Sequence, residues 1–104
     1  MNEVAVPGFM TFEWDPRKAV TNRNKHRVEF EAASTVFMDP LAITFPDPAH
    51  SIAEHREITI GCTMSGQCVF VSHCLRRGRI RIISARLATR AEKRQYEEGI
   101  GVTE

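Results

Sequence analysis

The chain has 104 residues, of which 42% are hydrophobic and 26% charged, and its net charge is +1 at pH 7. A chain of this size and composition is expected to form one globular domain that buries roughly two thirds of its unfolded surface. No apolar run approaches the roughly 18 residues that a membrane span requires, so no membrane association is expected.

In chain order, residues 1–9 show no periodicity, and Pro7-Gly8 would break any element, so they are read as a loose leader. Thr11-Phe12-Glu13-Trp14 predicts a short strand with Phe12 and Trp14 on one face. Asp15-Pro16 then starts a helix, Asp as N-cap and Pro at the first helical position, reaching about His26. A second helix is expected from Glu29 to Met38, with Phe30, Ala33, Val36 and Phe37 as its inward stripe and Asp39-Pro40 as its stop. Leu41 to Phe45 reads as a strand closed by Pro46-Asp47-Pro48, and residues 49–55 as a polar loop.

Three further strands follow: Arg56 to Cys62, Gln67 to Cys74 and Arg79 to Arg86, joined by short turns at residues 63–66 and at Arg77-Gly78. Connections this short predict an antiparallel meander. In the last strand Ile80 and Ile82 should point into the core, with Arg79 and Arg81 pointing out. Thr89-Arg90-Ala91-Glu92 has the capping-box spacing, and the helix it opens should end near Glu98 at Gly99. The expected architecture is α+β: a single antiparallel sheet with helices packed on one side.

The net charge conceals an asymmetry. Between Arg76 and Arg94 stand eight cations against Glu92 alone, while Asp39, Asp47, Glu54 and Glu57 lie in the middle of the chain. A solvated cationic face is the plain explanation; the other is an anionic ligand near the C-terminal strands. The three cysteines, Cys62, Cys68 and Cys74, form an odd set without a secretory signal, which points to a reducing, cytoplasmic setting. Their spacing does not suit a zinc site, and they read as buried, inert thiols. Adjacent strand residues point to opposite faces, so His73 and Cys74 cannot pair as a nucleophile and base. His73, mid-strand, is expected to be packed or hydrogen-bonded. No glycine-rich phosphate loop is present, and neither metal nor cofactor is expected.

The remaining set is Lys25, His26, His50, His55, Arg56, His73, Arg81 and Arg86. It suits metal-free RNA cleavage. There the ribose 2′-OH attacks the adjacent phosphorus, one group takes a proton, another returns one to the leaving 5′-oxygen, and cations stabilise the added charge. Histidine transfers protons near neutral pH, and arginine grips phosphate. His26, at a helix C-terminus, also has a bland role as a cap.

From about Met10 to Gly99 the chain resembles the BrnT family of type II toxin–antitoxin ribonucleases. The resemblance is carried by Phe12-Glu13-Trp14-Asp15 with Lys18, Asn22 and Lys25-His26, by Phe30-Glu31-Ala32-Ala33, and by Val36-Phe37-Met38-Asp39-Pro40. Asp47, His50-Ser51, Glu54, Arg56 and Gly61 follow, then Ile80-Arg81-Ile82-Ile83-Ser84-Ala85-Arg86 with Glu92, Arg94 and Tyr96-Glu97. It implies a RelE-like fold and an endoribonuclease that inhibits translation. It also implies neutralisation by a BrnA-like ribbon-helix-helix antitoxin, in a 2:2 heterotetramer that meets operator DNA only through the antitoxin. On this reading residues 1–9 are a flexible extension without function, and residues 10–104 are the toxin domain. Lys25, His26, Arg56, Arg81 and Arg86 become the expected phosphate and transition-state contacts. His50 is the proton-transfer residue, supported by Glu54 and Tyr96. The family usually has Glu before the arginine of the middle motif; His55 stands there instead and adds a titratable group. The alternatives are a non-catalytic nucleic-acid-binding module, or a degenerate toxin that binds its antitoxin in operon repression.

Overall fold

The computed structural model describes the backbone of Asn2–Val6 and residues 10–99. The Pro7-Gly8 break and residues 100–104 of the expected toxin domain lie outside the described residues. Strands β1 (Asn2–Val6), β2 (Met10–Trp14), β3 (Ile43–Pro46), β4 (Arg56–Cys62), β5 (Cys68–Arg76) and β6 (Arg79–Leu87) form one sheet in the order β1-β2-β6-β5-β4-β3. Helices are α1 (Pro16–His26), α2 (Phe30–Ser34) and α3 (Arg90–Glu98). α2 tightens into a 3-10 turn at Thr35–Met38, so the expected second helix is two joined pieces; another 3-10 turn occupies Pro48–His50.

Local chemistry sets the boundaries. The Asp15 side chain accepts a hydrogen bond from Arg17 N at 2.8 Å and caps α1. Thr89 and Glu92 form the reciprocal capping box of α3, and Gly99 closes that helix at φ 72°. Arg77 (φ 54°) and Gly78 (φ 76°) make the tight turn between β5 and β6, where positive φ at both positions matches the strand twist.

Three expectations need correction. The sheet is mixed: β2 runs parallel to β6, pairing Phe12 with Ile80 and Glu13 with Arg81. Two strands separated by most of the chain carry no turn signature between them, so sequence periodicity cannot set their sense. Residues 2–6, expected to carry no element, form β1 antiparallel to β2; pairing through the backbone needs no side-chain alternation. And the helices occupy both faces. α1 and α2 cover the first face, where Phe12, Trp14, Val28, Phe30, Ala33, Val36, Val69, Val71, Ile82 and Ala85 form the main core. On the second face Phe45, Ile58 and Ile60 form a smaller core, and Tyr96 of α3 packs there.

β2 pairs with β6 only at the start of β6. Farther along, α1 closes the open edge. Asn22, buried, donates from Nδ2 to Ala85 O (2.8 Å) and Val28 O (3.0 Å), while its Oδ1 accepts from Ala85 N at 3.1 Å. One amide thus takes the place of a neighbouring strand. Asn22→Ala removes three hydrogen bonds and leaves buried backbone groups without partners. It should destabilise the fold by roughly 2–4 kcal/mol. Urea unfolding checks this as a lowered midpoint with the slope unchanged.

Candidate active site

The second face carries three cross-strand rows. Glu13, Arg81, Cys74 and Arg56 make the first; Ser84, Ser72, Ile58 and Phe45 the second; Arg86, Phe70, Ile60 and Ile43 the third. A β-bulge sets this alignment. Ser72 pairs with Ser84 but His73 pairs with Ile82, so Ile83 is an extra residue in β6. Without it, strict alternation would put Arg81 and Arg86 on opposite faces. With it, both lie on the second face.

A cleft of about 380 Å³ opens over these rows, lined among others by Asp47, His50, Arg56, Phe70, Ser72 and Arg86. A second cleft of about 290 Å³ lies beside it, between α1 and β6, and includes Lys18, Lys25 and His26. Ile83 and Ser84 line both. Five expected site residues therefore gather around one bulge: His50, Arg56 and Arg86 on one side, Lys25 and His26 on the other.

His50 is exposed, and its Nδ1 lies 2.9 Å from Asp47 Oδ2. Ser51 ties this loop to the sheet: its Oγ donates to Asp47 O (2.7 Å) and accepts from Arg56 N (2.9 Å). Asp47 N donates to Arg56 O, which extends the β3–β4 ladder to the loop. The Arg56 Nε is buried and has no hydrogen-bond partner among the described residues. It forms a longer ion pair with Glu54 Oε2, 3.8 Å away.

Other expected residues are engaged by partners. Glu54 Oε1 accepts from Arg76 Nη2 at 2.7 Å, and that bond holds the Glu54 carboxyl below its ordinary range. Arg81 pairs with buried Glu13 at 3.2 Å. Arg86 makes a bidentate pair with Glu92, at 2.8 and 2.9 Å, which lowers the Glu92 carboxyl and raises the guanidinium. Arg86 also lies 3.9 Å over the Phe70 ring.

Tyr96 is placed apart from the clefts. Its hydroxyl donates to Asp39 Oδ2 at 2.7 Å, and hydrogen bonding to Cys62 and Asp39 pushes its pKa up. Burial works against Asp39 ionising, but bonds from Cys62 N, Tyr96 and Leu41 N outweigh it and keep that carboxyl low. His55 lies 3.7 Å from Glu57 and lines neither cleft, so its extra titratable group sits outside the basic site.

Sequence reasoning did not single out Asp47, Glu13, Arg76, Ser72, Ser84 or Glu92 for roles in this site. Glu13, Asp47, Ser84 and Glu92 do stand in the motifs quoted above, and Asp47 also lies three residues before His50. Of the thiols, Cys74 is buried as expected, whereas Cys62 and Cys68, directly opposed on β4 and β5, are only half-buried. Among the described residues no group of three or more His, Cys, Asp or Glu side chains is placed to hold a metal, and no helix is long and apolar enough to cross a membrane.

The pattern of a known family, described as "Ribonuclease toxin, BrnT, of type II toxin-antitoxin system", matches residues 14–92. The chain belongs to the BrnT family. Its fold is similar to the crystal structure of the Brucella abortus ribonuclease toxin BrnT, with a TM-score of 0.60 and 24% identity, over 76% of this chain and 96% of that one. A comparison with curated protein sequences gives no match. Membership makes this chain a ribonuclease toxin of a type II toxin–antitoxin system at the level of family, with an RNA target and an antitoxin partner.

One histidine offers a clean titration. His73 is buried on the first face, 2.7 Å from Thr59 Oγ1 and edge-on to Phe37 at 4.9 Å, as its mid-strand position suggested. Burial lowers its pKa from 6.5 to about 4. Between those values the unfolded chain binds the proton and the folded chain does not, so stability rises with pH. The contribution is full above about pH 6.5 and is lost as pH falls to about 4, a change of roughly 3 kcal/mol. His73→Gln should flatten that window in urea unfolding measured from pH 4 to 7.

Proposed function

We propose that the paired clefts hold the sugar-phosphate backbone of single-stranded RNA and cleave it by 2′-OH attack without a metal ion. The observation that carries this reading is the Asp47–His50 pair beside an incompletely bonded Arg56. With Nδ1–H donating to the Asp47 carboxylate, His50 keeps Nε2 free to accept the proton of the attacking hydroxyl. Arg56 stabilises the charge that builds on the phosphoryl oxygens. Lys25 and His26, across Ile83 and Ser84, supply further cationic contacts and the proton for the departing 5′-oxygen. Arg81 and Glu54 act through their partners, Glu13 and Arg76, by fixing the charged row behind Arg56. Tyr96 supports the site only indirectly, by docking α3.

On this reading the fold is RelE-like and the toxin works in the cytoplasm, where it inhibits translation. A BrnA-like ribbon-helix-helix antitoxin neutralises it in a 2:2 complex, which meets operator DNA through the antitoxin. One observation favours a second reading. Arg76, Arg81 and Arg86 each pair with a carboxylate, as expected for a non-catalytic module that binds nucleic acid or antitoxin in operon repression.

Purified toxin free of antitoxin should cleave a long single-stranded RNA in EDTA and leave 2′,3′-cyclic phosphate ends. His50→Ala and Arg56→Ala should each slow cleavage by roughly a hundred-fold or more. Intact RNA in this assay and on translating ribosomes would overturn the enzymatic reading in favour of the binding module. Normal rates in both variants would overturn the site.

A further inference from the structure

Arg86 is poorly placed to grip a phosphate. Nη1 and Nη2 both donate to the two oxygens of Glu92, and Nη1 also reaches Leu87 O at 3.3 Å. The end-on fork, Nη1 with Nη2, is occupied by Glu92, and the charge is matched by that carboxylate. What these bonds leave is a flat group in a fixed orientation, stacked on Phe70 and lining the cleft.

The neighbouring wall has a matching character. Ile58, Phe70 and Ile83 give it apolar surface. Ser72 and Ser84 oppose each other directly across β5 and β6, and their hydroxyls make no hydrogen bond among the described residues. Each hydroxyl can donate and accept. Apolar walls, a fixed cationic plane and two free hydroxyls suit a planar heteroaromatic ring with polar edges better than they suit a phosphate. Single-stranded RNA presents such rings, and they stack readily on guanidinium planes.

We propose that this part of the cleft binds one nucleobase of single-stranded RNA. The base stacks on the Arg86 guanidinium, and its edge hydrogen-bonds to Ser72 and Ser84. Glu92 is then a positioning residue that holds the stacking plane. The inference rests on the reading of the clefts as RNA-facing and assigns Arg86 to the base instead of the backbone.

The test is direct binding of a short 2′-O-methyl oligoribonucleotide, which cannot be cleaved by 2′-OH attack, against the same backbone with abasic residues. The wild-type chain should bind the base-bearing strand about ten-fold or more tightly than the abasic one. Arg86→Lys keeps the charge but loses the plane, and should bring that ratio near one, as should Glu92→Gln. Ser72→Ala and Ser84→Ala should change the ranking of the four homopolymers. Thermal unfolding of each variant confirms that it is folded.

Equal wild-type affinity for the two strands overturns the base site while leaving the RNA-facing reading intact. No binding of either strand overturns both. If Arg86→Lys weakens both strands alike, Arg86 is a phosphate contact and the proposal fails. Displacement by a free nucleoside monophosphate at equal concentration would mark a mononucleotide site and also overturn it.

Discussion

The architecture depends on how β6 finds partners along both edges. β5 pairs with it along its length, but β2 reaches it only at Ile80 and Arg81. Beyond that point the backbone at Ala85 would be buried with an unpaired N–H and C=O, each a costly omission. Asn22 supplies both partners from one side chain. The substitution has a geometric consequence. A helix that closes a strand edge must lie alongside that edge, so the last turn of α1 comes up against the β6 bulge. Lys25 and His26 reach the cleft because Asn22, one turn earlier, is fixed to Ala85.

The bulge provides the other half of the arrangement. An extra residue in a strand reverses the alternation beyond it. Ile82 and Ala85 therefore both face the main core, three residues apart instead of two, and Arg81, Ser84 and Arg86 all face the second side. The same residue, Ile83, lies at the junction of the two clefts. Edge closure by Asn22 and the reversal at Ile83 act on adjacent residues of one strand, which brings helix cations and strand cations onto one surface.

Much of this fold was legible because its signals are local. Asp15-Pro16, the Thr89–Glu92 box, the Arg77-Gly78 turn and the alternation of Ile58 and Ile60 each act within a few residues. The failures are non-local. Parallel pairing of β2 with β6 joins residues 68 apart in sequence, at Glu13 and Arg81, and β1 is held by backbone pairing that leaves no periodic trace. The face taken by α3 follows from Tyr96 reaching Asp39, a contact across 57 residues. The candidate site shows the same division. His50, Arg56 and the basic strand stood out by residue type, but which arginines are already paired depends on Glu13 in β2, Glu54 in the loop before β4 and Glu92 in α3.

Those pairs are better understood as orientation than as stability. Arg76–Glu54 is open to solvent on one side, and solvent-screened pairs of that kind contribute little to stability. Glu13–Arg81 is more enclosed, and there the cost of removing both charges from water offsets much of their attraction. Neither is needed to hold together a sheet with two hydrophobic cores. Each does restrict where a long, mobile side chain can lie, and a cation fixed in advance loses less freedom when an anionic or aromatic group arrives. The carboxylates also lower the local net charge, so the second face is not uniformly positive. Its remaining cationic character is directed toward Arg56 and the end of α1, while the paired and stacked Arg86 offers a surface of a different kind. A face differentiated in this way can position both the backbone and a base of one strand, which a uniform cationic patch cannot do.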